Sequence, residues 1–278
     1  MVHIGLVARN VFRGILSRRA LYVWGAAVLL MLLRSGPAIF ISGRNPQLVA
    51  FFRADAISGA LDSWAMLALA AAVFLGAASV GGELTHKTIS TVLARPIRRW
   101  EFMVGHWLGV TLFSVCSLAI GVVLGAGLAW YMGIEIDQGR AAMALAQTVG
   151  GAMLFAAVGV GLGSNASVAL AASVTVLLIF LAPLVPVLVA DTKPLQHYSG
   201  VVLDYVTPPG YTSHYQGVAW AEPPSAAANP RAGFERMMER PVVDYAAARK
   251  RLFTNIGYGA AYFLIGCVFF TRRDIKLG

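Results

Sequence analysis

Residues 81–105 read GGELTHKTISTVLARPIRRWEFMVG, a short polar and basic island between two long apolar runs. The island opens on Gly81-Gly82-Glu83 and closes on Arg95-Pro96-Ile97-Arg98-Arg99-Trp100-Glu101. Both flanking runs come close to the ~20 apolar residues that a helix needs to cross roughly 30 Å of hydrocarbon. The island is therefore expected to be a loop at a membrane surface. Its cations, Lys87, Arg95, Arg98 and Arg99, place it on the cytoplasmic side, because short loops rich in Lys and Arg are retained there. A compact loop of this kind is where a soluble partner can grip a membrane protein.

Composition supports that class. Of 278 residues, 58% are hydrophobic and 13% charged, against about a quarter charged in an ordinary soluble domain. Lipid must cover much of such a surface, so the chain reads as an all-α polytopic membrane protein forming one transmembrane domain over 1–278. The net charge of +9 does not point to nucleic acid, since the cations sit at the edges of apolar runs instead of along one soluble face. Cys116 and Cys267 both fall inside apolar runs and read as small buried hydrophobes, not as a disulfide or a metal site. Arg9, Arg13, Arg18 and Arg19 precede the first run, and with no Ala-x-Ala-like site after it that run is expected to be a retained helix.

Six runs approach spanning length, at roughly 20–41, 62–80, 103–131, 141–163, 168–190 and 254–271. Ahead of them, Ile4, Val7, Val11 and Ile15 recur at helical spacing, so residues 3–18 are expected to form an amphipathic helix at the cytoplasmic interface, or else a solvated extension. Cations concentrate in the N-terminal segment, the 81–101 loop and the tail (Arg272, Arg273, Lys276), giving an N-in, C-in arrangement. Residues 42–61 and 132–140 are expected to be the opposing loops. The segment 191–253 contains Pro208-Pro209, Pro223-Pro224, Pro230 and Pro241, with Tyr198, Tyr205, Tyr211, Tyr215 and Trp220. Prolines break spans and aromatic side chains anchor at headgroup depth, so short helices on the outer membrane surface are expected there.

Candidate chemistry is sparse. Gly81 to Thr88 approaches a phosphate-binding loop, but His86 stands where a Gly must precede the Lys, and no strand leads into it. Gly159-Val160-Gly161-Leu162-Gly163 also lacks a preceding strand and fits close helix packing better, together with Gly150, Gly151, Gly121, Gly125 and Gly127. Arg34, near the outer end of the first run, either snorkels to headgroups or lines a substrate path. Glu101 and His106 read as parts of the interfacial loop, and Asp62 as the start of the second span, where a carboxylate suits a helix N-terminus. His197 and His214 have no convincing ligand set, and neither a catalytic constellation, a metal nor a cofactor is expected.

Glu83, Thr88, Leu93-Ala94-Arg95-Pro96-Ile97-Arg98-Arg99, Glu101 and Gly105 together resemble the type-2 ABC exporter permease family, with Pro96, Ile97 and Arg99 matching the core of its pattern. Lys87 stands where that family usually has Gly, and His106 where Lys usually follows the Gly. The layout as a whole is similar to the permease subunit of the copper-enzyme maturation transporter and its relatives. The resemblance implies a permease of the cytoplasmic (inner) membrane that dimerises and binds two separate ATPase subunits, with 81–101 as the coupling loop seated in an ATPase cleft. In that role Glu83 can cap a short helix and Pro96 can end it. Arg95, Arg98 and Arg99 can meet anionic lipid headgroups or acidic groups of the partner. Two other functions remain open: a secondary transporter, and a membrane scaffold that transmits motion to an extracytoplasmic protein through 191–253.

Overall fold

Among the buried positions from Ala54 to Ala72, 54, 57, 58, 61, 64, 65, 68, 69 and 72 follow the three-and-four spacing of one helix face. In a computed structural model of the chain, which describes residues 2–16, 19–40, 46–85, 98–171, 173, 215 and 245–272, that stripe belongs to one continuous helix. The described helices are α1 (Val2–Leu16), α2 (Arg19–Phe40), α3 (Pro46–Thr85), α4 (Arg99–Met132), α5 (Gln138–Gly163) and α6 (Tyr245–Arg272). Four of them contain segments long and apolar enough to cross a membrane: Val49–Glu83, Arg99–Met132, Gln138–Gly163 and Leu252–Arg272.

Several boundaries differ from the sequence expectation. Residues 46–61 are not a loop, because their apolar stripe continues into the second run and makes α3 a 40-residue helix. At 1.5 Å per residue it is about 60 Å long, roughly twice the hydrocarbon thickness. Asp62 accordingly lies in the middle of α3 and not at a helix start. The connection at 132–140 shrinks to residues 133–137: Gly133 closes α4 in the left-handed conformation (φ 68°), and Asp137 caps α5 by accepting the Arg140 N–H at 3.1 Å. α6 begins at Tyr245, inside the segment expected to run to 253. After α5, Ser167 Oγ accepts the Leu170 N–H at 3.3 Å and 168–171 are helical. The rest of the 168–190 run lies outside the described residues.

α3 is the central helix, packed against α2, α4 and α5. Its approach to α5 is set by small residues. An alanine Cβ at Gly159 would lie 2.6 Å from Val73 O, and one at Gly76 would lie 3.0 Å from Ala156 O. Both obstacles are backbone, so no rotamer change can relieve them. Lipid tails are as apolar as the helices, so close van der Waals contact of this kind is what drives their association. Gly121 and Gly125 likewise admit Trp64 and Leu61 between α3 and α4, which fits the packing role expected of these glycines. Gly159→Ala should therefore destabilise the bundle by about 1–3 kcal/mol, as overpacking does. Gly127, with nothing within 4 Å, should tolerate alanine. Unfolding of the two purified variants in detergent would compare them directly.

α1 is a helix, as its pattern predicts, and part of its apolar face packs on α4. Ile4 and Val7 lie against Gly105, and Ala8 and Val11 against Gly109, because glycine leaves α4 open there. Trp24 of α2 then stacks on Phe113 at 5.8 Å, so α1 and α2 follow α4 in the same direction.

Candidate functional site

The polar island is framed by the C-terminal turns of α3 and the first turns of α4. Residues 86–97, with Thr88, Arg95 and Pro96, lie outside the described residues, whereas Glu83, Arg98, Arg99 and Glu101 do not. Glu83 is half-buried in the last turn of α3. Glu101 is a helix residue instead of a loop residue. At the third position of α4, its Oε2 accepts the Arg98 N–H at 3.1 Å and its charge faces the positive helix end. Arg98 is exposed.

His106, expected in the interfacial loop, is instead a helical residue of α4 and only 1% exposed. Its Nε2 lies 3.7 Å from Glu83 Oε1, an ion-pair distance when the ring is protonated and too long for a direct hydrogen bond. Phe102 covers the imidazole with ring centres 4.3 Å apart, and Phe102 in turn stacks on Phe270 of α6 at 6.1 Å. Val80, Met103 and Val160 complete this cluster. Arg99, expected to face headgroups or a partner, turns its Nη1 to Thr271 O at 3.0 Å, at the C-terminal end of α6. A cation at a helix C-terminus offsets the partial negative charge of its last carbonyls. The end of α3, the start of α4, the end of α5 and the end of α6 thus meet in one junction.

The junction's connection to α6 was not legible in the spacing, because Arg99 and Thr271 are 172 residues apart. Elsewhere α6 runs along α5, with Gly259 against Leu154 and Gly266 against Gly161. Trp107 donates its indole N–H to Met153 O at 3.0 Å and packs on Phe263 at 5.4 Å. Apolar grooves of about 380 and 280 Å³ line its sides, the first walled by Val158, Leu162, Tyr262, Ile265 and Phe269. Arg99→Ala should cost about 1 kcal/mol locally, the scale of one hydrogen bond. Amide exchange in the last turn of α6 should rise in that variant and stay unchanged in Arg98→Ala. Arg34 lies in α2, three residues before Pro37, and its side chain lies outside the described residues. Among the described residues no group of His, Cys, Asp and Glu could hold a metal ion.

Four helices of membrane-spanning length and hydropathy make this a multi-pass membrane protein. The model of the ABC-2 family transporter proteins matches residues 15–275, nearly the whole chain, and the chain belongs to that family. It is a membrane component of an ABC transporter, and the family implies partnership with ABC ATPase subunits. Among curated proteins, none matched the chain.

Proposed function

We propose that this chain is the membrane-spanning subunit of an ATP-driven exporter in the cytoplasmic membrane, working as a homodimer with two ATPase subunits. Residues 81–101 form the coupling loop, on the cytoplasmic side together with both termini. The chain itself binds no nucleotide and catalyses no reaction. The observation that carries the reading is the junction at Glu83, Arg99, Phe102, His106, Phe270 and Thr271. A force applied to the loop meets helix ends that are tied to one another, so it reaches α3, α4 and α6 as a rigid-body movement. The cations of the loop and the tail support the same sidedness.

Purification from the native membrane tests the assembly: an ATPase subunit should accompany the chain, and its absence sinks the proposal. A cysteine introduced at Ser225 should label from outside the cell, and labelling only from the cytoplasm would reverse the topology. A purified complex that also retains an external protein, and in which ATP hydrolysis moves no solute, would favour the scaffold function instead.

A further inference from the structure

α6 turns much of its apolar surface outward, with Leu264, Ile265, Val268 and Phe269 exposed in a segment of membrane-crossing length. On one side it leaves a groove of about 380 Å³ against α5, walled by Val158, Leu162, Tyr262, Ile265 and Phe269. Gly161 and Gly266 bring the two backbones together at its floor, where an alanine Cβ at Gly266 would lie 2.6 Å from Gly161 Cα. One end of the groove reaches Asn165, just past the end of α5, whose side-chain amide donates to Gly161 O at 3.0 Å and Ser164 Oγ at 2.9 Å. Ile265, Phe269 and Arg272 follow one another at steps of four and three residues, so the exposed Arg272 continues the wall of α6 at that same end. Arg99, donating to Thr271 O at 3.0 Å, sets a second cation beside it.

The structure assigns this groove and Arg272 to one acidic phospholipid of the leaflet beside the polar junction, its acyl chain along α5 and α6 and its phosphate at the guanidinium. From Tyr262 to Arg272 the helix rises about 15 Å, half of the roughly 30 Å hydrocarbon thickness and so the depth of one leaflet. The walls are apolar over that depth, and the cation stands where a headgroup begins. Inorganic phosphate would use the cation but none of the groove. A second copy related by a two-fold axis along the membrane normal would bring its own cationic α6 end to the same depth, where like charges repel. An acidic lipid matches both halves of the site, as in other basic pockets between membrane helices. Its binding needs neither an ATPase nor a direction of transport.

The test places the complete chain, with any subunit that co-purifies, in nanodiscs of equal parts phosphatidylglycerol and phosphatidylcholine with identical acyl chains. Extraction into mild detergent and native mass spectrometry then count the lipids that stay. One phosphatidylglycerol per chain should be retained, about fivefold above phosphatidylcholine, the effect of roughly one cation near an anionic headgroup. Arg272→Gln should bring the two lipids to equal retention. Ile265→Trp, which fills the groove from an exposed position and keeps the cation, should lower the retention of both by about the same factor. Arg249→Gln, an exposed cation at the other end of α6, should change neither. Equal retention of the two lipids by the parent chain, or an undiminished preference in Arg272→Gln, would overturn the site, and so would full retention in Ile265→Trp. A parent chain that holds no lipid, and whose oligomer dissociates in Ile265→Trp, would give the groove to a second copy and overturn it as well.

Discussion

Trp64→Ala is expected to lower the stability of the bundle by roughly 3 kcal/mol, the low end of the range for deleting a buried Trp. Trp64 is 2% exposed and lies where α2, α3 and α4 meet, packed with Ala27, Met31 and Ala60 and lying over Gly121. Its indole N–H donates to Ser117 O at 2.8 Å, so truncation removes a buried hydrogen bond as well as the packing. The low end applies because lipid is itself apolar, which removes much of the transfer contribution and leaves lost contact, cavity and hydrogen bond. Trp64→Phe should fill much of the space and cost about 1 kcal/mol. Thermal unfolding of the two variants in detergent or vesicles checks the order, and equal losses would mean that the hydrogen bond, not the packing, dominates.

Glu83→Gln is expected to slow ATP hydrolysis by the assembled complex about tenfold while membrane insertion and ATPase co-purification survive. A tenfold change is ~1.4 kcal/mol, within the 1–3 kcal/mol typical of coupling between distant sites. The substitution keeps side-chain size and removes only the charge that faces His106 across 3.7 Å. Phe102→Ala should act in the same direction, because that ring joins His106 of α4 to Phe270 of α6. Arg98→Ala, on an exposed side chain, should change lipid or partner affinity more than turnover. A Glu83→Gln complex that hydrolyses ATP at the parental rate would remove Glu83 from the coupling path.

Much of the bundle was legible because membrane helices announce themselves by length and hydropathy. The runs at 103–131 and 141–163 agree with α4 and α5 to within a few residues. The second run was read too short. The charges at Arg53, Asp55 and Asp62 interrupt the apolar run, whereas the buried stripe at Ala54, Ile57, Ser58 and Leu61 runs straight through them. Periodicity is the signal that carries α3 through those charges. Glu101 and His106 were misplaced for a related reason: polarity near a span end looks like loop, yet an acid at the third helical position is a start signal. The packing of Ile4, Val7 and Val11 on α4 depends on glycines about a hundred residues away, which no local pattern reveals.

The sequence by itself determined that the chain lives in a membrane, where its principal helices run and where its basic polar island falls between them, because these follow from solvent transfer and local spacing. Only the tertiary structure decided what the polar residues do. Arg99 reaches the end of α6, His106 is enclosed beneath Phe102, and Asp62 holds the backbone of Tyr215 from 153 residues away. The cause is the cost of leaving a polar group unsatisfied in an apolar bundle, which forces each to find a partner wherever packing brings one near.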